Sequence, residues 1–237
     1  MTQYTIRPLI VGANETDQGV MTYLKGYGRR IWIPIYVFCL EGGQEKILVD
    51  TGLDQFVVPP EVGEQHGVEI YEFEDALATV GLKPEEIDVI VHTHLHNDHC
   101  ENDYKCTNAR VYVQKAELDF FRNPHPIDHR YYPDLLDDVE VVAVEGEQDI
   151  TDGIRVVPSP GHTPGTQSVL IRTGRGTVGI AGFCCNQENF PEKGPAVAPG
   201  VHTDALAAYE SIQRFRELAD ILVPLHDFSV GQRRQIP

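Results

Sequence analysis

The chain has no long apolar run. None of its 237 residues lies in an uninterrupted hydrophobic stretch approaching ~18 residues, so no transmembrane helix is expected. The start, Met1-Thr2-Gln3-Tyr4-Thr5-Ile6-Arg7, lacks a basic segment followed by an apolar one, so no signal peptide is expected. Positive charge is scarce. Nineteen Lys and Arg stand against 36 Asp and Glu, a formal net charge of −17, which argues against a nucleic-acid-binding surface. Cysteine is sparse and unpaired in pattern. Cys39, Cys100, Cys106, Cys184 and Cys185 are odd in number and irregularly spaced, which suits reduced thiols in a cytoplasmic protein better than a disulfide framework. Repeats and low-complexity tracts are absent. The length allows a sizeable core, and the whole of 1–237 is expected to form one domain.

What is present is a concentration of metal-ligand chemistry. His94-Leu95-His96-Asn97-Asp98-His99 sets four potential ligands within six residues, directly after the apolar run from Ile87. A strand end fixes the backbone, so ligands at that spacing converge from one tight loop. Imidazole and carboxylate suit zinc and similar divalent ions. Two more histidines recur in the same context. His162 sits in Gly161-His162-Thr163-Pro164-Gly165 after the run Ile154–Val157, and His226 ends the run from Ile221.

Periodicity predicts alternating strands and helices. Ile31–Glu41 and Glu45–Val49 read as strands joined at Gly42-Gly43. Further strands are expected at Ile87–His92, Arg110–Gln114, Val139–Val144, Ile154–Val157, Gln167–Thr173, Thr177–Ala181 and Ile221–Leu225. Helices are expected at Glu74–Val80, from Lys115 to about Arg122, and from a Thr203 or Asp204 cap to about Leu218. The pattern alone supports α/β or α+β.

The residues Thr93 to His99, Leu48-Val49-Asp50-Thr51-Gly52, Val111 to Glu117, Pro160 to Ser168, Glu188-Asn189-Phe190 and His226-Asp227 together resemble the metallo-β-lactamase-fold hydrolases. Within that superfamily they resemble the N-acyl-homoserine lactonase group. The resemblance implies a four-layer αββα sandwich. It implies one metal held by His94, His96 and His162, and a second by Asp98, His99 and His226. It places Asp50 near the metals, orienting a ligand histidine rather than coordinating, and His92 is read the same way. It implies zinc, one or two ions per chain, with iron or manganese as alternatives.

Two departures from the family pattern stand out. The bridging Asp expected on the strand after the glycine–histidine turn falls at Gly182 or Phe183, neither of which is a carboxylate. Gly182-Phe183-Cys184 is similar to a metal-binding pattern of class B β-lactamases, so Cys184 is the expected replacement ligand and Cys185 the alternate. The Tyr that follows the bridging Asp in the lactonases is replaced at Cys185. The Asp119–Tyr132 stretch lies where the family covers its substrate. There Arg122, His129 and Arg130 are candidates to meet an anionic group, and Tyr131 or Tyr132 to donate to a carbonyl.

The functional expectation is a metal-dependent hydrolase opening a small cyclic ester or cyclic amide by hydroxide generated on the metal, with Asp98 as the catalytic carboxylate. The alternatives are a thioester hydrolase, or a mononuclear iron oxidoreductase similar to the sulfur dioxygenases. A small-molecule substrate, no membrane or nucleic-acid partner, and a homodimer complete the expectations.

Overall fold

The computed structural model describes residues 1–237 as two β-sheets packed face to face. The first sheet runs β1 (Thr5–Asp17), β2 (Arg30–Glu41), β3 (Ile47–Val49), β4 (Val89–Val91), β5 (Arg110–Gln114), β6 (Glu140–Val144), in that spatial order. Its first three strands are antiparallel neighbours, and β3 to β6 are parallel. The second sheet comprises β7 (Gln148–Thr151), β8 (Ile154–Pro158), β9 (Gln167–Thr173), β10 (Gly176–Ile180) and β11 (Ile221–Val223), and only the β10–β11 pair is parallel. The helices are α1 (Gln18–Met21), α2 (Pro60–His66), α3 (Phe73–Thr79), α4 (Asn97–Cys100), α5 (Lys115–Arg122), α6 (Ala205–Leu218) and α7 (Phe228–Gly231). None is long and apolar enough to cross a membrane.

The layers follow from strand alternation. Successive side chains of β2 point to opposite faces. Tyr36, Phe38 and Leu40 enter the core between the sheets, where they meet Val156, Val169, Ile171 and Ile180 of the second sheet. Ile35, Val37 and Cys39 face outward, where Phe73, Ala76 and Leu77 of α3 cover them. On the far side, α6 lays Ile212 and Phe215 against the second sheet. Its start is fixed by Asp204, whose carboxylate accepts from the Leu206 and Ala207 amides, a cap worth about 1 kcal/mol. The result is the expected αββα order.

The strand bounds match the sequence pattern at β2, β5, β9 and β11 to within two residues. The structure adds β1, which sequence reasoning passed over. Pro8 and Gly12 interrupt its apolar pattern, and both are tolerated because β1 is an edge strand with a register shift between Ile10 and Ala13.

Candidate metal centre

The potential ligands follow the C-terminal ends of three strands. The loop after β4 carries His94, His96, Asp98 and His99, the turn after β8 carries His162, and the segment after β11 carries His226. Leu95 points away from its histidine neighbours into an apolar cluster with Val113, Leu118 and Phe121, so packing holds His94 and His96 on the opposite side. The glycines flanking His162 are there for close approach. A Cβ on Gly161 would lie 2.1 Å from the Ala208 nitrogen, and one on Gly165 would lie 2.0 Å from the Glu117 nitrogen. The turn is therefore wedged between the starts of α5 and α6.

Two groups of three donors result. One ligand atom from each of His94, His96 and His162 lies within 4.8 Å of the others, and the same holds for Asp98, His99 and His226. The groups adjoin, with the His94 and His99 rings 4.2 Å apart between centroids. All five histidines are buried.

Each imidazole has one nitrogen engaged by an outer partner. His96 Nε2 donates to Asp128 Oδ2 at 3.1 Å and His99 Nδ1 to Asp50 Oδ2 at 2.9 Å. His162 Nδ1 donates to the Val201 carbonyl and His226 Nδ1 to the Pro34 carbonyl, both at 2.9 Å. His94 Nδ1 meets Thr93 Oγ1 at 3.0 Å, and that hydroxyl donates to Asp50 at 2.8 Å. These bonds set the tautomers and leave the second nitrogen of every ring with its lone pair, the arrangement metal-bound histidines require. His94 Nε2 is buried with no partner at all. A buried nitrogen without a partner is costly in a folded protein, and a cation among the three imidazoles satisfies it. The residues present thus fit a divalent ion.

The electrostatics agree. Burial, then the neighbouring imidazoles, pushes His94 well below the usual histidine range, and burial with His96 and Arg130 does the same to His162. Burial and His99 bring His226 down to about 4. Neutral imidazole is the ligand form. Burial also acts to lower His99, but Asp98 and Asp50 outweigh it and raise it. Asp98 is lowered despite burial, by His99, His226 and His96. His92 is fully buried and lies outside both groups. It is held between Asp103 at 2.7 Å and Asp50 at 3.3 Å, and these carboxylates raise it to about 10 against the effect of burial.

The expected carboxylate bridge has no place in this backbone. A Cβ on Gly182 would lie 1.9 Å from the Gln167 carbonyl oxygen, and Phe183 is buried in the core against Phe215, ring centroids 5.6 Å apart. Cys184 does line the cavity beside the histidines, but its sulfur faces Met21 Sδ at 3.5 Å and falls outside both donor groups. Burial and Asp98 push its thiol up to about 12. Cys185 faces the core between the sheets and touches the site only through its carbonyl, which accepts from the His226 amide. Neither cysteine joins the two donor groups: Cys184 stands on the cavity wall and Cys185 in the core between the sheets.

Of the other candidates, Arg130 and Tyr131 reach the site. Arg130 lines the imidazole cavity and pairs with Asp128 through Nε and Nη2 at 2.8 and 2.7 Å. The Tyr131 ring packs on His96 at 4.8 Å, and its hydroxyl donates to Glu117. Arg122, His129 and Tyr132 are exposed and line neither this cavity nor the adjoining cleft. The structure also brings in two carboxylates that sequence reasoning missed. One is Asp128. The other is Glu117, fully buried, which accepts from Leu95 N, Thr163 Oγ1, Gly165 N and Tyr131 Oη and so ties the first ligand loop to the second. Its sequence signals were a place at the end of the Val111 to Glu117 stretch and in the first turn of a helix after a buried strand.

The comparisons with known proteins agree with this geometry. The profile of the metallo-beta-lactamase superfamily matches residues 30–217. An N-acyl homoserine lactonase of Bacillus cereus is 28% identical over 204 residues, covering 81% of this chain and 78% of that one. A probable metallo-hydrolase of Methanocaldococcus jannaschii is 27% identical over 151 residues, 64% of this chain and 62% of its own. Among solved structures, a Bacillus thuringiensis AiiA variant with N-decanoyl-L-homoserine at its active site superposes with a TM-score of 0.79 at 23% identity, over 98% of this chain and 96% of that one. A quorum-quenching N-acyl homoserine lactone lactonase superposes with a TM-score of 0.75 at 25% identity, over 97% and 94%. With two sheets, flanking helices and a histidine-rich centre at the strand ends, the chain belongs to the metallo-β-lactamase superfamily.

Proposed function

We propose that this chain is a zinc-dependent lactonase, a hydrolase that opens a small cyclic ester. The observation that carries the reading is the pinning of five imidazoles through one nitrogen each, with the buried His94 Nε2 left unpartnered. The lactonases among its relatives supply the substrate class. His94, His96 and His162 would hold one ion, and Asp98, His99 and His226 a second. A donor set of five imidazoles and one carboxylate suits zinc.

Bound divalent ions supply Lewis acidity, which lowers the pKa of water and polarises an ester carbonyl. The protein's own groups do the rest. Thr93, Asp50 and Asp128 hold the ring orientations, so little reorganisation accompanies the reaction. Asp98, partly exposed on the cavity wall, orients the attacking water by accepting its proton and returns a proton to the departing ring oxygen. The water oxygen bonds to the acyl carbon, the acyl–oxygen bond of the ring breaks, and the new carboxylic acid ionises. Each turnover releases acid.

The test is proton release in a pH-stat from zinc-supplemented protein on acyl-homoserine, simple γ and δ, and fused aromatic lactones, with His96→Ala as control. Acid release by the wild type and not by the control supports the reading. Silence across all rings would count against it. The unpaired cysteines are consistent with a reducing compartment, and we place the protein in the cytoplasm on that basis.

A further inference from the structure

Resting on the lactone-opening reading, we propose that Arg130 selects substrates carrying a carboxylate a few bonds from the scissile carbonyl. Three observations place a carboxylate receptor there. First, the cavity of about 310 Å³ lined by the five histidines shares Val20, Arg130 and Val201 with an adjoining cleft of about 830 Å³. Arg130 therefore stands at the junction between the reacting centre and the space for the rest of a ligand. Both volumes lie within the range of small-molecule sites.

Second, Arg130 is the only Lys or Arg on either wall, in a chain whose formal charge is −17. The acids that share those walls are already committed. Glu15 pairs with Arg30, and Asp17 accepts from the amides of Gly19 and Gly28. Asp128 grips Arg130 through Nε and Nη2, which fixes the guanidinium plane and leaves both Nη1 protons without a protein acceptor. A preoriented guanidinium is suited to the planar, two-oxygen geometry of a carboxylate.

Third, the donor set holds one carboxylate, Asp98, among five imidazoles, and Gly182 has no room for a second. Two divalent ions in such a site keep more positive charge than a centre with a shared carboxylate. That favours a negatively charged substrate over a neutral one.

The probes are 5-oxotetrahydrofuran-2-carboxylate and its neutral carboxamide, which share the ring and differ in charge. Zinc-loaded wild type is expected to favour the carboxylate in kcat/KM by at least tenfold. Arg130→Gln is expected to cut that preference by about 10–100-fold, the size of a lost charge-assisted hydrogen bond, mainly through KM because the group lies away from the reacting atoms. Arg130→Lys keeps the charge without the fork and is expected to fall between.

Equal use of both rings by wild type, or a preference that survives in Arg130→Gln, would overturn the proposal while leaving lactonase activity standing. If neither ring opens, the lactonase reading fails instead, and calorimetry of 2-hydroxyglutarate against 4-hydroxybutyrate on zinc-loaded protein decides. A preference for the diacid that Arg130→Gln loses supports the carboxylate receptor, and equal binding overturns it. Melting temperature and zinc content are measured for each variant. If Arg130→Gln does not fold, Arg130→Lys and the wild-type preference decide by the same criteria.

Discussion

Asp50 accepts a 2.9 Å hydrogen bond from His99 Nδ1 while its own backbone sits in the left-handed region, at φ 58°. The same carboxylate accepts from the Thr93 amide and hydroxyl, both at 2.8 Å, and through Thr93 it reaches His94. One buried side chain thus orients an imidazole in each donor group, and the strained conformation is held by the four groups that converge on it.

Asp50→Asn keeps the size and tolerates the left-handed backbone, but it removes the charge that favours the His99 Nδ1–H tautomer. Zinc affinity at the Asp98, His99 and His226 group is expected to fall by about 10–100-fold, the usual effect of losing such a partner. The His94, His96 and His162 group, linked only through Thr93, is expected to lose less. Competition with a chelator, read as zinc retained per chain, separates the two.

Glu117→Ala is expected to act on stability as much as on activity. It leaves the Leu95 and Gly165 amides and the Thr163 and Tyr131 hydroxyls without their shared acceptor in a buried place. The expected cost is more than about 3 kcal/mol, because each abandoned buried donor costs about 1–3 kcal/mol. Denaturant unfolding of zinc-free protein measures it. A change under 1 kcal/mol would show that Glu117 is not what ties the two loops together.

The two adjacent cysteines are expected to separate. Cys184→Ser puts a hydroxyl where the thiol met Met21 and is expected to leave zinc content unchanged. Cys185→Ser places a hydroxyl in the apolar core and is expected to destabilise the fold by about 1–3 kcal/mol. Elemental analysis and thermal melting of both variants check this. Loss of zinc from Cys184→Ser would restore the thiolate ligand that the sequence pattern suggested.

A shared carboxylate cannot be restored at Gly182 by one substitution. In Gly182→Asp the new Cβ would meet the Gln167 carbonyl at 1.9 Å, backbone that side-chain rotation cannot move. The variant is expected to yield little folded protein rather than a tighter metal pair, which soluble expression and circular dichroism will show.

The candidate ligand histidines were legible because their residue types and spacing are rare outside metal sites, and because each follows an apolar run that reads as a strand. Their outer partners were legible only in part. Asp50 sits in a recognisable strand-end motif. Asp128 lies among polar loop residues with nothing to mark it, and Val201 and Pro34 act through backbone carbonyls that any residue provides. The departure at Gly182 was visible as a missing acid. Its reason was not, since the approach of the Gln167 carbonyl is a tertiary fact. Strand β1 was hidden by Pro8 and Gly12, which an edge position with a bulge accommodates. Of the stretch containing Arg122, His129, Arg130, Tyr131 and Tyr132, only Arg130 and Tyr131 turn inward, which composition could not say.

The central claim is that the six converging ligands hold zinc and that this zinc is needed to open a lactone. It is tested most directly by adding zinc stepwise to chelator-stripped protein while following acid release from the best lactone in a pH-stat. The account predicts no release without zinc, a rise as the donor groups fill that stops by two ions per chain, and no rise at any zinc level in His96→Ala. Full activity in the stripped protein, or zinc bound at both groups with no acid released from any lactone, would contradict it.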